Sequence, residues 1–452
     1  MQLNRKVQTH THEGATAKHV GAVDQLRRSV MSCLLWEREF YESGASIADR
    51  IASLVKEVPA TDAMNIAIEA RSEMSLRHVP LLIAREMARG PVEHRLLTGA
   101  TLENIIQRPD ELGEFLSIYW RDGRQPLSAQ VKKGLAAAFT KFGAYALAKY
   151  NRDGAIKLRD VMFLSHPKPK DAEQEQMWKQ LIDGTLAPPD TWEVKLSASQ
   201  GKDKKASWIE LLEGSKLGGM ALLRNLRNMI QAAVPREMIQ TALTEMSTAR
   251  ILPFRFISAA RHAPQFEPEL EAAMMRSLSE SQKLGGSTIL LVDVSGSMTW
   301  ALSEKSEVRR MDAASGLAMI LREICVDLRV FTFSNDCVEV PPRQGFALRD
   351  VIINSTAWAG TYLGAAVKKI CTHKHDRLIV ITDEQSHDRV PDPTMPRSYM
   401  INVASAKNGV GYGAWTHLDG WSESIARYIQ ALEASDEKSR QTASQDEAIS
   451  AN

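Results

Sequence analysis

Cysteine is scarce in this chain, with four in 452 residues: Cys33, Cys325, Cys337 and Cys371. They form no CxxC pair and have no histidine at finger spacing, which argues against a zinc finger or a disulfide framework and suits a reducing cytosol. Charge of one sign is lacking too. The net charge is +1, so any basic surface has to be local and balanced by acid elsewhere. No apolar run approaches the roughly 18 residues of a membrane helix, and none is expected to span one. The opening MQLNRKVQTHTHEG has no apolar signal core. These absences lead to the expectation of a cytoplasmic globular protein, long enough for two or three domains.

What is present falls into two grammars. From about residue 20 to 280, within an expected helical module of residues 1–284, the pattern is helical: IADRIASLVKEV, HVPLLIAREMAR, ALLRNLRNMIQAAV and ELEAAMMRSLSES carry apolar residues three and four apart. Leu222, Leu226, Met229 and Ala233 form one predicted stripe, with Arg224, Asn225 and Asn228 pointing elsewhere. Breakers recur at Gly90-Pro91, Pro167, Pro169, Pro188-Pro189 and Pro253. Many short helices without strand signals predict paired helices stacked as a superhelix, open or closed. From 285 to 434 the grammar changes: STILLVDV, DLRVFTF, RLIVITD and SYMINVA read as strands alternating with amphipathic helices. That alternation predicts a doubly wound parallel α/β sheet covered on both faces. Residues 435–452 are polar and aromatic-free, and disorder is expected there.

The first strand ends in Asp293, Ser295 and Ser297. Ligands of doubly wound sheets sit at the carboxyl ends of the strands, and Asp383 falls at the same end of a later strand. Gly360-Thr361 opens a helix on a small-residue turn, where a hydroxyl can reach the same crevice. Hard, partly neutral oxygen donors suit Mg²⁺, or Mn²⁺ in its place, and not zinc or copper. DxSxS alone is a weak motif, and the competing reading makes the serines helix caps. A nucleophile is disfavoured, because Ser295 stands where a phosphoaspartate site wants a second acid, and neither a GxSxG elbow nor a GxxxxGK loop is assembled.

Charge is concentrated between residues 132 and 170. Lys132, Lys133, Lys141, Lys149, Arg152, Lys157, Arg159, Lys168 and Lys170 are opposed only by Asp153 and Asp160. Such a run can track a phosphate backbone, and the interleaved Phe139, Phe142, Tyr145, Tyr150 and Phe163 can stack bases where exposed. The alternative is a solvated lysine face over core aromatics. His166, in FLSHPKPKD, lies among these cations.

The strand-borne DVSGSM, with Thr361 and Asp383, resembles a von Willebrand factor A domain with a metal-ion-dependent adhesion site. The resemblance implies that Asp293, Ser295, Ser297, Thr361 and Asp383 hold the metal, whose open position accepts a partner's carboxylate. The family's Gly-Gly-Thr loop is here Ala359-Gly360-Thr361. In order, KYNRDGAIKLRDVMFLSHPKPKDA, WIELLEGSKLGGMALLRNLRNM, ARILPFRFISAARHA and the DVSGSM domain resemble the TROVE family of Ro ribonucleoprotein autoantigens and their bacterial relatives, over about residues 15 to 434. That implies a ring of HEAT-like repeats closed by the sheet domain and acting without catalysis. Single-stranded 3′ ends of misfolded RNA would thread the ring, and a small Y-like RNA would bind outside. By the same resemblance His166 belongs to the Y RNA surface, Lys149 and Arg152 lie in the segment before it, and Arg224 and Arg227 lie nearer the cavity; Lys133, Lys168 and Lys170 are RNA-binding candidates from the charge run. It further implies a monomer engaged in RNA quality control, with an exoribonuclease as a possible partner. The competing hypothesis is a protein scaffold whose metal site grips an acidic group.

Overall fold

Thr299 ends the turn after the first predicted strand, and the elements on either side of it follow the two grammars of the sequence. The computed structural model describes the chain apart from residues 1–9, 18–19, 32–42, 152–153, 189–191, 193, 195, 197–203, 215, 250, 252, 279–282, 302–307, 405, 423 and 435–452. Arg152 and the polar tail lie outside the described residues.

The helical half runs α1 (Ala22–Met31), α2 (Gly44–Glu57), α3 (Ala60–Ser72), α4 (His78–Arg89), α5 (Val92–Ile105), α6 (Asp110–Tyr119), α7 (Ala129–Phe139), α8 (Ala144–Tyr150), α9 (Leu158–Ser165) and α10 (Ala172–Asp183). It continues with α11 (Lys204–Glu213), α12 (Gly219–Gln231), α13 (Arg236–Glu245), α14 (Pro253–His262) and α15 (Glu267–Leu278). Local chemistry sets several ends. Ser43, Ser128 and Asp171 cap α2, α7 and α10 through side-chain oxygens, and Gly184 ends α10 in the left-handed region. On α12 the predicted stripe holds for Leu222, Leu226 and Met229, which are buried. Asn225 departs from the prediction: it is buried as well, donating to the Ala221 carbonyl (2.8 Å) and accepting from Asn228 (2.9 Å), which satisfies a polar group next to the apolar stripe.

The sheet half holds β1 (Leu284–Asp293), β2 (Cys325–Phe333), β3 (Cys337–Glu339), β4 (Arg377–Thr382), β5 (Arg397–Asn402) and β6 (Thr416–Asp419) in the order β3-β2-β1-β4-β5-β6. All neighbours are parallel except β3, which returns antiparallel to β2. Helices α16 (Arg310–Ile324), α17 (Gly345–Ile353) and α18 (Leu363–Ile370) connect them, and a last helix covers 424–434. Alternate residues of β1 enter opposite cores: Leu290 and Val292 on one face, Ile289 and Leu291 on the other. Burial on both faces explains why the strands read as unbroken aliphatic runs.

Among the described residues three apolar cores result. One holds α1–α10. A second is continuous from α11–α15 into one face of the sheet. The third lies under α18 on the other face and includes Ala15. The chain also closes on itself, because α1 reaches the loop after β5, where Arg28 donates to the carbonyls of Ala406 (2.6 Å) and Asn408 (3.1 Å). Helical periodicity alone had left an open superhelix and a closed ring equally possible.

Candidate functional site

The order β3-β2-β1-β4-β5-β6 reverses direction between β1 and β4, and a crevice opens there at the carboxyl ends of the strands. Asp293 is the last residue of β1 and Asp383 directly follows β4. Ser295 precedes a single 3₁₀ turn, Gly296–Thr299, that carries Ser297. The Gly296 N–H donates to the Ala359 carbonyl (3.0 Å), which ties this turn to the loop bearing Thr361. All five residues are buried. The Asp293 carboxylate accepts the Ser295 N–H (2.9 Å) and the Thr382 hydroxyl (2.6 Å). Ser295 and Ser297 hydroxyls lie 3.2 Å apart, and Ser297 donates to Asp383. Thr361 is held by its backbone: its N–H donates to His387 Nδ1 (3.1 Å) and its carbonyl accepts from the His387 N–H (2.8 Å).

Two buried carboxylates in one crevice repel each other. Burial, and then the Asp383 charge, push Asp293 up to about 7. Among the described residues no three His, Cys, Asp or Glu side chains converge as metal ligands; the donor set is two carboxylates and hydroxyls. That set fits a hard divalent cation, whose charge would relieve the repulsion. Sequence reasoning missed two supporting residues. Thr382 orients Asp293, and the buried Arg310 guanidinium stands 3.8 Å from Asp383. The strand pattern around VITD marks Thr382 as inward-facing, whereas nothing in RRMDAASG separates Arg310 from a solvated arginine. Around the crevice Trp300, Trp358 and Tyr362 are exposed, and Tyr362 stacks on His387 at 5.1 Å.

The basic run divides when folded. Lys133, His166, Lys168 and Lys170 are exposed on α7, after α9 and before α10, and Lys149 on α8 is half-buried. Lys141 is different: its ammonium donates to the Glu103 and Ile106 carbonyls at the end of α5, so it caps a helix. Asp160 likewise accepts the Lys157 N–H (2.8 Å) at the start of α9. Of the five aromatics, Phe139 and Phe142 are core, while Tyr145 and Phe163 are more than half exposed, at 57% and 56%. Lys149 Nζ stands 6.0 Å from the ring centres of both Tyr145 and Tyr150, and Arg108, absent from the sequence reading, lies 4.6 Å over Tyr150. His166 ends α9 with φ 51° and ψ 56°, a left-handed conformation.

Arg224 and Arg227 are exposed on α12. Arg255 on α14 lies close enough to Arg224 to feel its charge. Loss of solvent around its guanidinium, and then the like charge of Arg224, hold its pKa below the usual arginine range.

Comparison with known proteins gives three findings. The TROVE domain family matches residues 183–327. Over 94 residues, 19% of this chain, the sequence is 35% identical to telomerase protein component 1 of Mus musculus. That stretch spans only 4% of the mouse protein. The crystal structure of the Ro (Rsr) protein of Deinococcus radiodurans superposes with a TM-score of 0.60 at 19% identity, covering 89% of this chain and 97% of that one.

Proposed function

We propose that the chain is a protein of TROVE/Ro type, a reading supported by the match of residues 183–327 to the TROVE domain family, and that it binds non-coding RNA as a binding protein and not as an enzyme. Single-stranded 3′ ends of misfolded RNA enter the closed circuit of helices, where Arg224, Arg227 and Arg255 meet phosphates. A small Y-like RNA occupies the outer face of α7–α10 through Lys133, Lys149, His166, Lys168 and Lys170. The role is cytoplasmic RNA quality control by a monomer, with an exoribonuclease as a fitting partner. The observation that carries this reading is the survival, after folding, of exposed cations beside open aromatic faces on consecutive helices. Phosphate contacts supply affinity and aromatic faces accept unpaired bases.

The test is a titration against two hairpin RNAs, one with a single-stranded 3′ tail and one blunt, at several salt concentrations. Threading predicts tighter, salt-sensitive binding of the tailed RNA, weakened by Arg224→Glu. Equal binding that Lys168→Glu abolishes would leave only the outer surface. No binding of either RNA at moderate salt would overturn the reading.

The exposed Trp300, Trp358 and Tyr362 favour a second role for the sheet domain. Read as a von Willebrand factor A domain, it uses Asp293, Ser295, Ser297, Thr361 and Asp383 to hold Mg²⁺, and the aromatic rim adds apolar contact with a protein that presents a carboxylate. Mg²⁺ should raise the melting temperature of the native chain and not of an Asp293→Ala variant. A partner retained in EDTA would sink this role.

A further inference from the structure

The helical circuit meets the sheet domain at two places of opposite character. At one, α14 and α15 share a continuous apolar core with α16 and the sheet. Phe254 packs edge-on against Trp421 with ring centres 5.2 Å apart. The other is the seam between α1, the end of α3 and the last strand and helix, and it is mostly polar. Arg28, fully buried, stands 3.1 Å from Glu384 and reaches the Ala406 and Asn408 carbonyls. Glu384 also pairs with His417 and accepts the Gly411 N–H (2.7 Å). Ser424 donates to the Glu73 carbonyl (2.9 Å). Beside these bonds lies a cavity of about 620 Å³ whose walls include Asp24, Glu69, Glu73, Met74, Leu418 and Ile425. A strap across residues 10–17 makes a further closure, polar apart from Ala15, which is buried in the third core. Thr11 and Ala15 bond the Ser386 carbonyl (2.7 and 3.2 Å), His12 N–H bonds Gln385 (2.8 Å), and Glu13 pairs with His387 (2.9 Å).

Separating the first junction would expose apolar core, at roughly 25 cal/mol per Å². Separating the seam exchanges ion pairs and hydrogen bonds for water. Such groups contribute little net stability when both partners are rehydrated, and the cavity has already forfeited packing. Polar interfaces between domains open by default, whereas large apolar ones do not.

We propose that the ring opens at this seam, with α1 leaving the Ala406–Gly411 loop and the strap lifting from Ser386, and that single-stranded RNA without a free end is loaded sideways through the gap. The substrate class is RNA whose unpaired stretch is closed on both sides, by structure or by circularisation. This rests on the RNA reading above but adds a route that threading does not provide.

A topological trap tests it. Met74 Sδ and Ser422 Oγ face each other across the seam at 3.2 Å. Met74→Cys and Ser422→Cys, in a full chain lacking Cys33, Cys337 and Cys371, allow a short bis-maleimide to close the ring covalently. Circular single-stranded RNA added before cross-linking should co-migrate with the protein through denaturing electrophoresis, as a catenane. Cross-linking first should abolish that species while tailed linear RNA still binds. An Arg28→Gln chain, with the seam loosened rather than locked, should capture the circle faster. If tailed RNA binds but no circle is ever trapped, in either order and in either chain, sideways loading is wrong and threading stands. If neither RNA binds, the RNA reading itself falls.

Discussion

The two junctions between the helices and the sheet hold the same pair of units together by different physics. At the α14–α16 junction the secondary structure changes type at residue 284 while the apolar core runs on without interruption. At the seam α1 meets β6 and the loop after β5, and the contact is made chiefly by a buried charge network and backbone carbonyls. A boundary in secondary structure is therefore not a boundary in stability. The TROVE match over residues 183–327 falls on the shared-core side, covering α11–α15 with β1 and α16.

The largest effect is expected on the apolar side. Phe256, fully buried in the shared core, should cost about 3–5 kcal/mol when changed to Ala. Because that core is common, α11–α15 and the sheet should melt together. Urea unfolding followed by far-UV circular dichroism and by tryptophan fluorescence checks this, and two separated midpoints would break the equivalence of core and unit. At the seam, Arg28→Met should cost about 3 kcal/mol, because it removes one of the two cations that face the buried Glu384 carboxylate, leaving His417 alone. Adding Glu384→Gln should recover a good part of that loss, which no second substitution could do for Phe256. Hydrogen exchange would locate the damage in α1 and the strap.

The unequal legibility of these regions in the sequence has the same origin. Strand and helix patterns were readable wherever an element buries whole faces, and the switch-point crevice with Asp293 and Asp383 followed from strand ends alone. β3 and β6, with three and four residues, are too short to carry a period. The Arg28–Glu384 pair joins opposite ends of the chain, and neither residue differs locally from a solvated one. GVGYG was readable only as a loop. In the fold, a side chain at Gly409 would stand 2.3 Å from Glu384 and 2.6 Å from Arg28, so the glycine makes room for the network. Lys141 looked like the other lysines because a helix cap contributed by a distant residue leaves no local signature.

Acidity tunes only the polar junction. Burial alone would lower His417, but Asp419 and Glu384 raise it to about 9 from 6.5. A cation whose pKa is higher when folded contributes its full stability below the unfolded value, and loses it as pH rises through the folded one. The seam should accordingly weaken from above pH 6.5 and lose this contribution past about 9. Exchange from α1 should accelerate over that range while the shared core stays protected. His417→Gln should flatten the profile, and an unchanged slope would remove His417 from the latch.

The smallest effect separates stability from function. His166 caps α9 at φ 51°, where a residue with a Cβ is strained and glycine is not. Pro167 already disfavours continuing the helix through this position, so the turn itself does not require histidine. If the side chain served the fold, His166→Gly would destabilise it. If it is kept for the ligand, the change should raise stability by about 1 kcal/mol and weaken binding of a Y-like hairpin. Tailed RNA bound through Arg224 and Arg227 should be held as before. The sign of the melting shift decides the first point, and the ratio of the two RNA affinities decides the second. Histidine would then be a strained residue retained at a surface where relaxing the backbone would otherwise be the better choice.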